Sequence, residues 1–226
     1  MRRIIPPLIF GFAGAALLIW LGIWQLERLA WKEAVLANIE ARITVPPVAL
    51  PEQPDPERDK YLPVIASGTA RPGLRVLVGA KNLGPGYRMI SILDLGGRQV
   101  LLDRGFLSIK AHTDFSGPRE ITVTGNLHWP DEVDGFTPDP DLEKGLWFAR
   151  DVPAMAAALG TEPVLIIARE IEASPYSTTP LPVGITGIPN NHLIYAITWF
   201  SLAAIWLLMT GYYLWRNAQM KKGAQA

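Results

Sequence analysis

Two stretches of this chain run uncharged for longer than a soluble helix usually does. Residues 4–24, IIPPLIFGFAGAALLIWLGIW, are 21 consecutive uncharged residues, and residues 193–215 are another 23. At 1.5 Å per residue, each makes a helix of about 30 Å or more, enough to cross the hydrocarbon core of a bilayer. A helix that is apolar on every side has no face to offer water. The sequence therefore predicts two transmembrane helices. The first spans 4–26 and extends helically to about 43; the second spans 191–215. Between them lies a domain at 44–190, with lead-in and return linkers at 44–60 and 174–190, and residues 216–226 form a tail.

The first run is preceded by Arg2 and Arg3, as a signal peptide would be. Its small residues lie mid-run, however, and it ends in the bulky IWLGIWQLERLAW, so an uncleaved span is expected. Orientation follows from the second run. Arg216, Lys221 and Lys222 come after it, while no Lys or Arg lies between Arg169 and its start. The positive-inside rule puts both termini in the cytoplasm and the central domain outside. In a bacterium this means an inner-membrane, multi-pass protein with a periplasmic domain.

Formal net charge is zero, which leaves no surplus of cations for phosphates and argues against a nucleic-acid partner. The chain contains no Cys, so disulfides, Cys-type zinc sites and covalent haem attachment are excluded. About 150 residues is enough for the domain to be held by its own core.

Within that domain, residues 46–59 carry five Pro and read as an extended segment. Apolar, β-branched runs then alternate with Gly, Pro and Asp clusters. Candidate strands are YLPVIASGTA, RVLVGAK, GYRMISILDL, RQVLLDRGFLS, EITVTGNLHW, GLWFARD and PVLIIAREI. LGGR reads as a hairpin turn. DVPAMAAALG reads as a helix, capped by Asp151 and ended by Gly160. The expected fold class is a membrane protein whose two transmembrane α-helices flank a mainly antiparallel β (α+β) domain, a sandwich or a partly open barrel.

Several constellations are weak. Residues 131–143 hold six acidic side chains but lack the alternating spacing of a calcium loop, and they read as a solvated loop. Ser108, His112 and Asp114 lack a nucleophile elbow, and the three His at 112, 128 and 192 share no zinc-ligand spacing. In LLDRGF, Arg104 before Gly105 could present a cation to a partner or an anion; a strand end with an Asp103–Arg104 ion pair and a turn explains it as well.

The membrane thresholds are more distinctive. Trp20, Trp24, Arg28 and Trp31 recur at helical spacing, with Gln25, Arg28 and Lys32 along a similar ridge. His192, Tyr195 and Trp199 share a face of the second helix at i, i+3 and i+7. An aromatic belt explains the rings alone. It does not explain His192, which topology places at the same outer interface as residues 24–32. With Asn190 or Asn191 as cap, His192 stands in the first helical turn, where a neutral imidazole able to coordinate a metal is favoured. A neutral His, stacking aromatics and nearby cations suit a haem with its propionates facing out; a purely structural His fits the same residues.

The chain resembles the Surfeit-locus protein 1 family through LGIWQLERLAWK, VLLDRGF and NNHLIYAITWFSLA, and the likeness extends over nearly its whole length. The middle motif continues as RGFLSIK, without the Pro usual in that family. The resemblance implies a non-enzymatic assembly factor for haem-copper oxidases, chiefly cytochrome c oxidase, binding haem a and aiding its insertion into subunit I. His192 would be an iron ligand. Tyr195, Trp199, Trp24, Gln25, Arg28 and Lys32 would complete the cofactor site, and Arg104 and Gly105 would be partner contacts. Subunit I, haem a synthase and the lipid bilayer are the implied partners. A scaffold that stabilises an oxidase assembly intermediate without binding haem is the alternative.

Overall fold

The computed structural model describes residues 5–80, 83–111, 117–172, 178–185 and 188–223, with backbone alone at 80 and 221–223. In chain order its elements are α1 (Ile5–Ile43), β1 (Val48–Ala49), β2 (Pro63–Ala80), β3 (Gly84–Asp94) and β4 (Gln99–Ser108). They continue as β5 (Arg119–Leu127), β6 (Leu146–Trp147), α2 (Val152–Leu159), β7 (Leu165–Glu172) and α3 (His192–Gly223). The chain divides into two compact units, Met1–Asn38 with Thr186–Ala226, and Ile39–Ile185.

The first unit is a helical pair. Pro6 and Pro7 fall in the first turn of α1, where a missing N–H costs no helical bond. At 39 and 32 residues, α1 and α3 are roughly 58 and 48 Å long. Both are long and apolar enough to cross a membrane, and their large side chains, such as Phe10, Trp20 and Leu208, mostly face outward. What they bury is a narrow seam. On α1 it runs through Gly11, Ala15, Leu18, Gly22 and Gln25; on α3 it runs through Ala196, Trp199, Ala203, Trp206 and Thr210. Alternating steps of three and four residues average the 3.5 repeat of helices packed nearly in line.

Small residues bring the two backbones close. A Cβ added to Gly11 would lie 2.3 Å from Thr210, one on Gly14 2.5 Å from Trp206, and one on Gly22 2.6 Å from Phe200. Each α1 glycine thus makes room for a larger α3 side chain, the close-approach logic of membrane helix pairs. Trp206 Nε1–H donates to the Gly11 carbonyl at 2.9 Å. Early α1 meets late α3, so the pair is antiparallel.

The second unit is built on one seven-stranded sheet, so a sandwich of two sheets is not what forms. Antiparallel pairs join β2 to β3, β3 to β4, β5 to β7 and β2 to β5. Parallel pairs join β4 to β7, β1 to β2 and β6 to β2. Long β2 pairs β5 through residues 63–70 and β3 through residues 69–80. The sheet curls back on itself through two halves of that strand rather than closing as a barrel. The turn at 95–98 has the expected hairpin form: Leu95 N–H donates to Arg98 O at 2.8 Å, and Gly96 and Gly97 both take positive φ.

Two apolar cores form on the sheet. Val64, Ala70, Leu93, Leu102, Val123 and Ile166 belong to the first. Leu74, Ile90, Leu101, Trp147, Met155 and Leu165 belong to the second. Helix α2 covers the second core, and its ends follow the sequence signals. Asp151 accepts from Ala154 N–H at 3.0 Å, and Gly160 (φ 69°) ends the helix by donating to Ala156 O.

Among the described residues, one charged group is wholly buried. Asp103, at 0% exposure, receives the Gly105 N–H at 2.9 Å, pairs with Arg88, and lies 3.5 Å from Arg150 Nη1. Arg150 continues the network to Glu132. Burial alone would raise the Glu132 carboxyl, but the Arg150 guanidinium outweighs it and holds the group below its usual range.

Candidate functional site

The helix pair ends, on the side where α3 begins, in a polar contact. Gln25 is the last buried residue of the α1 seam and the only buried polar side chain among the described residues of either long helix. His192 Nδ1 lies 2.7 Å from Gln25 Oε1. The amide oxygen can only accept, so Nδ1 carries the proton and donates. In a neutral ring the other nitrogen, Nε2, then keeps its lone pair, the arrangement found in His ligands held by an outer partner. Gly22, one turn before Gln25, brings the two helices close enough for this bond.

Asn191 stands at the cap position, its carbonyl accepting the Tyr195 N–H at 3.2 Å as the first bond of α3. Asn190 Oδ1 is buried and meets no donor. The threshold therefore holds both an anchored imidazole and an unsatisfied acceptor.

The remaining residues singled out in the sequence are arranged less tightly. Trp199 is half-buried one heptad beyond His192 on the seam. Tyr195 and Trp24, at 54% and 44% exposure, stand outside it. Arg28 lies 4.4 Å over the Trp31 ring, a cation–π pair that holds its charge near the threshold. Lys32, half-buried, continues the seam two turns past Gln25. Thr198 Oγ–H is spent on the Ile194 carbonyl at 2.9 Å. So Gln25 and His192 come together, Arg28 and Trp31 come together, and Trp24 and Tyr195 stand exposed outside the seam.

The middle motif lies in the sheet domain. Arg104 and Gly105 sit inside β4 rather than at its end, at a bulge where the register slips between Arg88↔Phe106 and Ile90↔Asp103. Arg104 is 3% exposed. Gly105 has φ +101°, and a Cβ there would lie 2.2 Å from Thr179 O. The Asp103–Arg104 ion pair imagined from adjacency does not form; the partners of Asp103 are Arg88 and Arg150. Neighbours along a strand point to opposite faces, which is why these two part.

Ser108 lies at the end of β4, while His112 and Asp114 fall outside the described residues. No cluster of three His, Asp or Glu able to hold a metal occurs among the described residues. Sequence reasoning missed a cleft of ≈ 380 Å³ whose lining includes Arg75, Tyr87, Arg104 and Lys144. Only pairing between distant strands brings these together, so no local signal could have found it.

With this geometry in hand, comparison with known proteins is informative. The SURF1 family profile matches residues 12–204, which take in most of α1, the sheet domain and the first part of α3. A SURF1-like protein of Monosiga brevicollis is 33% identical over 211 residues, covering 84% of this chain and 80% of that protein. Surfeit locus protein 1 of Rattus norvegicus is 28% identical over 213 residues, covering 81% and 68%. The Homo sapiens protein of that name is 28% identical over 215 residues, covering 81% and 69%. Gln25, His192, Arg104 and Gly105 all lie within the matched span. The chain belongs to the SURF1 family.

Proposed function

We propose that this protein is a non-enzymatic assembly factor for a haem-copper (cytochrome c) oxidase, binding haem a and aiding its insertion into subunit I. One observation carries the reading: the Gln25–His192 hydrogen bond, which anchors the ring through Nδ1, so that a neutral ring has Nε2 for a ligand. A purely structural His would serve equally well with either nitrogen bonded; a ligand needs one nitrogen anchored and the other open. Bound there, the haem would supply an iron, and His192 would be the residue that ligates it. Trp199, Tyr195 and Trp24 would offer ring faces, and Arg28 or Lys32 would receive the propionates. The cation distribution supports both termini in the cytoplasm, with the sheet domain outside, periplasmic in a bacterium. Haem a synthase is the donor this reading requires next to the client oxidase.

The test is the haem content of the purified chain after co-expression with a haem a pathway. Wild type should carry the haem spectrum and His192→Ala should lose it. Gln25→Leu should reduce content by about 10–100-fold, the usual cost of an outer partner. Unchanged content in His192→Ala would sink the ligand role. A second reading rests on the same bond: as a clasp between α1 and α3, it would serve a scaffold that stabilises an assembly intermediate. That reading predicts copurification with subunit I that survives His192→Ala, with no haem in wild type.

A further inference from the structure

The cleft in the sheet domain is assembled from one row across four strands. Leu146 of β6 pairs with Arg75 of β2, Arg75 pairs with Met89 of β3, and Met89 faces the Arg104–Gly105 bulge of β4. The bulge has a directional effect. Asp103 and Phe106 pair with Ile90 and Arg88 on one face, so Arg104 turns to the other, the face of Arg75 and Met89. Farther along that face the row continues inward to Leu93, Val100 and Leu102 of the first core. The cleft is thus a continuation of the inner apolar surface, opened toward solvent.

Its charge is one-sided. Among the described residues, Arg75, Arg104 and Lys144 line it, and no carboxylate does. Arg104 is more than nine-tenths buried, and Arg75 Nε is buried without a hydrogen-bond partner. The Arg75 guanidinium lies 4.9 Å over the Tyr87 ring, which fixes its plane. Arg75 N–H donates to Gly145 O at 2.9 Å, which anchors the Lys144–Gly145 segment beside it. The Lys144 ammonium meets Asp141 at 2.7 Å on the exposed rim, so its charge is shared there. Met89, Leu107 and Ile109 supply an apolar wall.

We propose that this cleft binds a small organic anion, a carboxylate or phosphate on an apolar body, held by Arg75 with Lys144 at the rim against that wall. Desolvated guanidinium groups recognise such oxygens by charge-assisted hydrogen bonds, and a concave site with convergent polar groups is a usual form of small-molecule site. The site involves neither His192 nor the helix pair, so the outcome of the haem experiment leaves it untouched.

Calorimetric titration of the full chain in a neutral detergent tests this with phenyl phosphate, benzoate, inorganic phosphate and benzyl alcohol. One phenyl phosphate or benzoate should bind per chain, at least about tenfold more tightly than inorganic phosphate or benzyl alcohol. Arg75→Gln should weaken the organic anions by about tenfold or more, and exposed Lys144→Gln by about threefold. Saturable binding that is absent in wild type, or equally tight for inorganic phosphate, overturns the proposal. So does undiminished affinity in an Arg75→Gln that unfolds at the wild-type temperature. Should Arg75→Gln fail to fold, Lys144→Gln decides, and unchanged affinity there overturns the proposal too.

Discussion

Between α1 and α3 the residues that bring the pair together have almost no side chain: Gly11, Gly14 and Gly22 receive Thr210, Trp206 and Phe200. In the sheet domain the deepest charged position is the reverse case, a full carboxylate at Asp103 enclosed by two arginines. The helices have no apolar surface to hide if they lie in lipid, so contact and a few hydrogen bonds must hold them. The sheet has two dry cores and can carry a buried ion network on top of them. Among the described residues, the helix pair buries its one polar side chain at the threshold; the sheet domain buries a carboxylate within its strands.

The largest effect should come from Asp103→Ala. It leaves Arg88 and Arg150, with side chains 15% and 12% exposed, facing a void. The expected loss is about 3–5 kcal/mol of sheet-domain stability, read from denaturant unfolding. Cross-linking between the helices should be unaffected. Gly22→Val should do the opposite, costing the pair about 1–3 kcal/mol by overpacking against Phe200 and leaving the sheet intact. Because the chain has no Cys, Gln25→Cys with His192→Cys can report the pairing through a short bifunctional thiol reagent. A Gly22→Val that cross-links as well as its parent would show that close approach does not hold the pair.

The smallest effect is the acid side of the sheet domain. Burial, then the charges of Arg150 and Lys60, push His128 down to about 4 from an ordinary value near 6.5. Between those values the unfolded chain binds a proton that the folded chain refuses, so stability falls as pH drops from 6.5 to about 4. The loss should be about 2 kcal/mol, discounted because part of the ring reaches solvent, and level below that. Melting temperature against pH, compared with His128→Gln, measures it; a variant with the same slope would place the proton elsewhere.

Much of the fold was legible because its signals are local. Uncharged runs, the Asp151 and Gly160 caps and the double-glycine turn each act within a few residues. What failed depended on distant partners. YLPVIASGTA and RVLVGAK read as two strands, split by Arg71-Pro72-Gly73; β2 runs through both, absorbing the interruption as a register shift between Arg71 and Leu74. GLWFARD read as a full strand, yet only Leu146–Trp147 pairs, because Trp147 enters the second core and Arg150 turns to Glu132 and Asp103. At the threshold, the helical repeat was enough to bring Gln25 and His192 into view. Trp24 and Tyr195 stand out because a one-residue offset rotates a side chain by about 100°, off the seam.

Strand β2 belongs to both cores: Val64, Ala66 and Ala70 sit in the first, Leu74 and Val76 in the second. Neither core can melt while the other keeps its full set of neighbours, since losing either strips one half of the same strand. A protease that nicks the domain within residues 63–80 would therefore be expected to leave no resistant fragment, and heating should give a single cooperative transition. The eighteen residues of this strand act as a mechanical axle, binding the fate of the anion cleft to that of the apolar interior beneath it.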